Sequence, residues 1–107
     1  MPRPLRDFEQ LLLAALAHLG PDAYGGSIRR LIEARTGRLV SPGAIYTACS
    51  RLERRGLIGS ALGVPTPERG GKRKRHYRLR TAGLAALRGA RAAQAGMLRG
   101  LGAKLEP

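Results

Sequence analysis

Cysteine occurs once in the 107 residues, at Cys49, and tryptophan does not occur at all. A single thiol excludes an intrachain disulfide framework and suits a reducing compartment. Carboxylates are scarce as well, 7 Asp plus Glu against 20 Lys plus Arg. They are scattered, so the chain offers no close acid pair and no Ser/His/acid set for catalysis. His18 and His76 lie in separate segments from Cys49 and from each other, without ligand spacing, so no metal site is expected. The longest apolar run, Leu11 to Ala17, falls far short of the roughly 20 residues that span a bilayer. The start, Met1-Pro2-Arg3-Pro4, lacks the apolar stretch and cleavage site of a secretory signal. The glycine-rich segment after residue 62 lacks the strand–loop–helix setting of a phosphate-binding P-loop. These absences lead us to expect a cytoplasmic protein that is not an enzyme, carries no cofactor and meets no membrane.

What remains is a basic chain with enough apolar residues, 43%, for one core. The formal net charge of +13 repels itself, and a compact domain tolerates it when a polyanion is the partner. All basic residues but Lys72, Lys74 and Lys104 are arginine, whose guanidinium forks onto phosphates and guanine edges. Genomic codon bias enriches arginine, alanine and glycine too, so position has to decide between the two causes.

Position is readable. Asp7 to Leu19 carries Phe8, Leu11, Leu12, Ala15, Leu16 and Leu19 at helical spacing, and Gly20-Pro21 stops it. Ser27 caps or opens a second helix through about Thr36, with Ile28, Leu31 and Ile32 inward and Gly37 closing it. For the third helix Ser41 is the N-cap and Pro42 the first helical residue. Its inward residues are Ile45, Ala48, Cys49 and Leu52, and Gly56 ends it. Leu57 to Leu62 and His76 to Arg80 read as two short strands, the second with Tyr77 and Leu79 on one face. From Thr81 to about Leu105 the pattern is helical again, with Leu84, Leu87, Leu98, Leu101 and Leu105 on a seven-residue repeat. Gly89, Gly96, Gly100 and Gly102 each weaken that helix by about 1 kcal/mol, so it needs a partner surface. The expected fold is mainly α with a small β-hairpin, a winged helix-turn-helix with a C-terminal dimerisation helix. It forms one domain over 1–107, a core to residue 80 and the dimerisation helix and tail over 81–107.

The outward face of the third helix gives the charge a purpose. Tyr46, Ser50 and Arg54 recur at i, i+4, i+8, with Gly43, Thr47 and Arg51 alongside, and no carboxylate among them. A helix entering a major groove needs small residues at its leading end, here Ser41, Pro42 and Gly43, then donors for bases and phosphates. Thr47 and Ser50 supply hydroxyls and Arg51 a guanidinium. A solvated face is the alternative, but such faces usually mix charge signs. Between the strands and into the second, Arg69, Lys72, Arg73, Lys74 and Arg75 cluster at a glycine-flanked tip. That is a shape suited to tracking a phosphate backbone or entering a minor groove, or else simply a solubilising loop.

Three segments resemble the PadR family of transcriptional regulators, whose members are winged-helix dimers. Tyr24-Gly25-Gly26-Ser27-Ile28 resembles the family's lead into the second helix. Ser41-Pro42-Gly43-Ala44-Ile45-Tyr46, with Arg51-Leu52-Glu53-Arg54-Arg55-Gly56-Leu57-Ile58, resembles its recognition-helix signature. Gly70 to Leu79 resembles the wing, with Gly83 matching the glycine that follows it. The resemblance implies a phosphate contact from Tyr46. It also implies pairing of the last helix with the first helix of a second protomer, for which Phe8, Leu12, Leu87, Leu98 and Leu101 are the candidates. The chain departs from the pattern at Cys49, where a larger aliphatic residue is usual, and at Arg80, where a threonine usually caps the last helix. It resembles the short subclass, yet without tryptophan it is not expected to stack planar drugs as some short members do.

Several residues carry two readings. Tyr77 faces the core rather than DNA. Tyr24 packs under the second helix or sends its hydroxyl to a phosphate, and Ser27 beside it is a candidate contact. Cys49 is a small buried hydrophobe or a redox sensor. His18 complements the end of the first helix, and His76 faces DNA or water. The expected function is a sequence-specific regulator, a repressor, binding a pseudo-palindromic double-stranded operator as a homodimer, with room for a small-molecule effector of unidentified chemistry. A non-specific nucleic-acid-binding module and a winged-helix protein-interaction adaptor are the alternatives.

Overall fold

The computed structural model describes residues 3–63 and 73–107. Arg69 and Lys72, expected at the wing tip, lie outside the described residues. Three helices come first: α1 (Asp7–Leu19), α2 (Gly25–Thr36) and α3 (Pro42–Arg54). The hairpin strands β1 (Ile58–Leu62) and β2 (Arg75–Leu79) follow, then α4 (Thr81–Leu98) and a short α5 (Gly102–Leu105). The winged helix-turn-helix order expected from the sequence is therefore the observed one.

Local chemistry explains the helix starts. The Arg6 backbone N–H donates to the Glu9 carboxylate at 2.8 Å, tying down the first turn of α1. Ser41 accepts from the Ala44 N–H at 3.1 Å and Pro42 takes the first helical position, as the sequence leads one to expect. The second helix begins two residues before Ser27, which caps it from the third helical position rather than from ahead of the helix. Its hydroxyl accepts from the Tyr24 N–H at 2.9 Å and donates to the Asp22 carbonyl at 2.6 Å, bracing the turn from inside the helix. Gly37, at φ 72°, closes α2 in the left-handed region.

The core lies where α1, α2 and α3 meet the hairpin. Leu12, Leu13, Leu16, Ile28, Ile45, Leu52 and Ile58 are fully buried within it. Leu13, outside the expected apolar stripe, is more buried than Leu11, because α1 is covered on two sides. The hairpin pairs antiparallel, Ile58 with Leu79 and Ser60 with Tyr77. Its second strand is fastened to the α1–α2 connection by the Tyr77 N–H, which donates to the Ala23 carbonyl at 2.9 Å. Tyr77 is accordingly buried.

α4 packs against α1 and the base of the hairpin at Gly83, where a Cβ would stand 2.1 Å from the Leu57 carbonyl oxygen. Only glycine allows that approach. Arg80 precedes α4 without a side-chain cap. The expected helix through Leu105 is broken after Leu98: Arg99 is extended and Gly100 adopts φ 89°. The seven-residue leucine spacing therefore runs across a break, and Leu101 and Leu105 do not continue the α4 stripe. Gly100 takes a backbone conformation that apolar periodicity does not register. Leu12 also departs from expectation. It is 0% exposed in the core and offers no surface to a second protomer.

Candidate nucleic-acid interface

At 100° per residue, α3 turns Ile45, Ala48, Cys49 and Leu52 inward and leaves Gly43, Tyr46, Thr47, Arg51 and Arg54 exposed, with Ser50 half-buried among them. Tyr46 is 64% exposed, too open for a core residue. The helix's one carboxylate, Glu53, is occupied: the Ser60 hydroxyl donates to its two oxygens at 2.9 and 3.0 Å. Arg75 Nη1 in turn donates to the Ser60 oxygen at 3.0 Å. This Arg75–Ser60–Glu53 chain fixes the hairpin to the flank of α3 and offsets the carboxylate's charge. Arg75 is thus partly committed inside the protein. The link joins residues from three elements and has no local sequence signal.

The leading ends of α2 and α3 meet the start of β2 around an open cleft of about 410 Å³. Tyr24, Gly25, Gly26, Pro42, Tyr46, Arg73, Lys74 and Arg75 are among its lining. Beside it Arg30 donates to the Tyr24 hydroxyl at 2.8 Å, and Lys74 Nζ lies 4.1 Å from the ring centre. The Arg30 hydrogen bond, aided by the two nearby cations, lowers the Tyr24 pKa below its ordinary value. His76 meets the same ring edge-on at 5.8 Å, so it packs beside Tyr24 rather than standing free. A helix start of two glycines, with cations on the facing strand, suits an oxyanion. Ser27 differs from the expected contact: its one proton goes to the Asp22 carbonyl, leaving none for a phosphate.

Cys49 is 1% exposed, and burial pushes its thiol up to about 12. Tyr77, its neighbour across the core, is likewise pushed up to about 12, chiefly by burial. A protonated, covered thiol is a poor nucleophile, so the packing reading of Cys49 stands over the redox one.

The candidate seam residues divide, and Phe8 lies beside Ser41, Thr47 and Arg51 of the α3 face rather than away from it. Phe8 is half-buried with the Arg38 guanidinium 5.2 Å from its ring centre. Leu87 is half-buried against the protomer's own core, Leu101 is half-buried beyond the break, and Leu98 is 42% exposed. A larger, mostly apolar groove of about 900 Å³ runs between Pro4, Leu5 and Gln10 and the face of α4 bearing Ala82, Ala86, Gly89, Ala93 and Met97, with Arg3, Asp7 and Arg55 at its charged edge. The leucine spacing does not point to this face, whose small residues recur at spacings of three and four.

Among the described residues no helix is long and apolar enough to cross a membrane, and no group of three His, Cys, Asp or Glu is placed to hold a metal. The PadR-like family of transcriptional regulators matches residues 12–89. No curated protein matches the chain. Among solved structures it is similar to a PadR family transcription regulator from hypervirulent Clostridium difficile, at 24% identity and TM-score 0.72, covering 92% of this chain and 97% of that one. A PadR family regulator from Eggerthella lenta is 28% identical, with TM-score 0.68 over 91% of this chain and 82% of that one. A PadR-like regulator from Bacillus cereus aligns at 19% identity and TM-score 0.72, covering 94% and 92%.

Proposed function

Because the chain belongs to the PadR-like family, and is therefore a DNA-binding regulator of transcription, we propose that it is a sequence-specific repressor acting as a homodimer. The observation that carries this reading is the shared cleft. Pro42 and Tyr46 of α3 line it together with Arg73 and Lys74 of the wing, so the leading end of the helix's exposed face and the wing's cations share one opening, which supports the reading. In the proposed complex α3 enters the major groove with Ser41, Pro42 and Gly43 at its leading end. Thr47, Ser50 and Arg51 meet base edges, and Tyr46 and Arg54 meet phosphates. Arg73 and Lys74 lie along the flanking backbone, and Tyr24 presents its hydroxyl at the start of α2.

The apolar groove beside α4 supports the dimer. Alanine and glycine leave a helix backbone open to close approach, and an apolar groove of this size is stabilised by a second surface. A twofold dimer reads a pseudo-palindrome with half-sites about 10–10.5 base pairs apart, or a multiple of that. Repression follows where such a site overlaps a promoter. An effector, if one acts, shifts the dimer between spacings that fit and do not fit the two grooves.

Selection from a random duplex pool, followed by competition at fixed salt, tests specificity. The selected site is expected to survive a competitor excess of about 10³. Binding that falls in proportion to any duplex added would make the chain a non-specific module. Failure to retain any duplex at low salt would make it a protein-interaction adaptor.

A further inference from the structure

A second cationic cleft, of about 590 Å³, lies on the flank of α3 away from the wing. Arg3 and Arg6 line it from the segment before α1, Arg51, Arg54 and Arg55 from α3 and just beyond it, and Glu9 from α1. Five guanidinium groups thus face one carboxylate. That carboxylate is already engaged. Glu9 is 4% exposed, accepts the Arg6 backbone N–H, and pairs with Arg55 Nη1 at 3.6 Å. Among the described residues no other carboxylate lies within ion-pairing distance of Arg3, Arg6, Arg51 or Arg54. Arg55 also donates to the Arg3 carbonyl, which fastens the leading segment to the end of α3.

We propose that Arg3 and Arg6 form a basic arm that grips backbone phosphates of duplex DNA on the side of α3 opposite the wing. The inference rests on the DNA-binding reading above and adds a contact to it. On the helix wheel Tyr46 and Glu53 lie on one flank of the exposed stripe, Arg51 and Arg55 on the other. The wing is bonded to the first flank through Glu53, the arm to the second through Arg55, so the two bracket the helix. Guanidinium groups crowded into one cleft repel one another, and a phosphate relieves this by accepting from several at once. A free polyanion has the same chemistry. The duplex is favoured because Arg51 and Arg54 belong also to the stripe that faces the groove, so a strand bordering that groove passes the cleft.

The test uses the full chain with Arg3 and Arg6 both changed to alanine. Both side chains are exposed, so the fold is not at risk, and sedimentation checks that the oligomeric state is unchanged. Binding to a duplex of about 24 base pairs, roughly two helical turns, is followed across salt concentrations. The slope of log K against log salt is expected to fall by about two, equally for all sequences. Lysine at both positions should restore it. An unchanged slope in a protein whose wild type binds duplex overturns the arm and leaves the DNA-binding reading standing. An unchanged slope with lost tripolyphosphate binding overturns it in favour of a small polyanion. A wild type that binds no duplex defeats both.

Discussion

Helices α3 and α4 are built from opposite materials. α3 starts on a serine cap and a proline, buries one apolar face, and leaves a stripe of hydroxyls, a phenol and guanidinium groups in solvent. α4 starts without a side-chain cap, buries Gly83 at its base, and exposes a run of alanines ending in Met97 and Leu98. Each exposed face names its partner by what it lacks. The first lacks an unpaired carboxylate and suits a polyanion, and the second, mostly alanine and glycine, lacks bulk along most of its length and suits a close apolar surface.

The contrast can be broken from either end. Gly83→Val drives side-chain atoms into the Leu57 carbonyl and should cost about 3 kcal/mol, at the upper end of overpacking effects, read as a lowered midpoint in urea. A midpoint that stays put would mean that α4 is not pressed onto the hairpin. Ala93→Glu places a charge at an exposed position of the groove and should turn the proposed dimer into monomers in sedimentation, with operator affinity lost alongside. Retention of the dimer would move the seam away from this face. Arg51→Ala should weaken the selected site by about 1–3 kcal/mol and relax sequence preference, measured by titration against matched and mismatched duplexes. A uniform loss on all duplexes would reduce Arg51 to a phosphate contact.

The smallest effect sharpens the inward side of α3. Cys49 keeps its proton to about pH 12 when folded, whereas an unfolded thiol ionises near its ordinary value of 9.0. The unfolded state therefore binds fewer protons above pH 9, and stability falls as pH rises from there toward 12. Cys49→Ala should flatten part of that decline in denaturation curves taken across the range. Tyr77, raised in the same direction from 10.0, adds to the decline, and Tyr24, lowered from 10.0, opposes it. An identical slope in the variant would mean that the thiol titrates freely in the folded protein.

The two helices also differ in how far the sequence discloses them. The start of α3 is set by Ser41 and Pro42, neighbours whose chemistry acts within one turn, and the expected and observed starts agree. Gly37 and Gly56 close helices in positive-φ conformations for equally local reasons. α2 starts two residues earlier than expected because Ser27 caps it from the third helical position, and a serine at the first position of a helix reads the same way in sequence. α4 ends short of the expected Leu105: leucine spacing continues past Gly100, where the backbone turns away. Its alanine face carries little periodic contrast, because alanine is common throughout the chain. Links between distant residues, Arg75 through Ser60 to Glu53 and Arg55 to Arg3, depend on packing and left no pattern to read.

The most direct test of the central claim, that α3 and the wing read duplex DNA in symmetric pairs, is a hydroxyl-radical footprint on a selected duplex. The account predicts two symmetric protected stretches, centred about one helical turn or a multiple of it apart. Uniform protection along the duplex, or a single unpaired stretch, would contradict it.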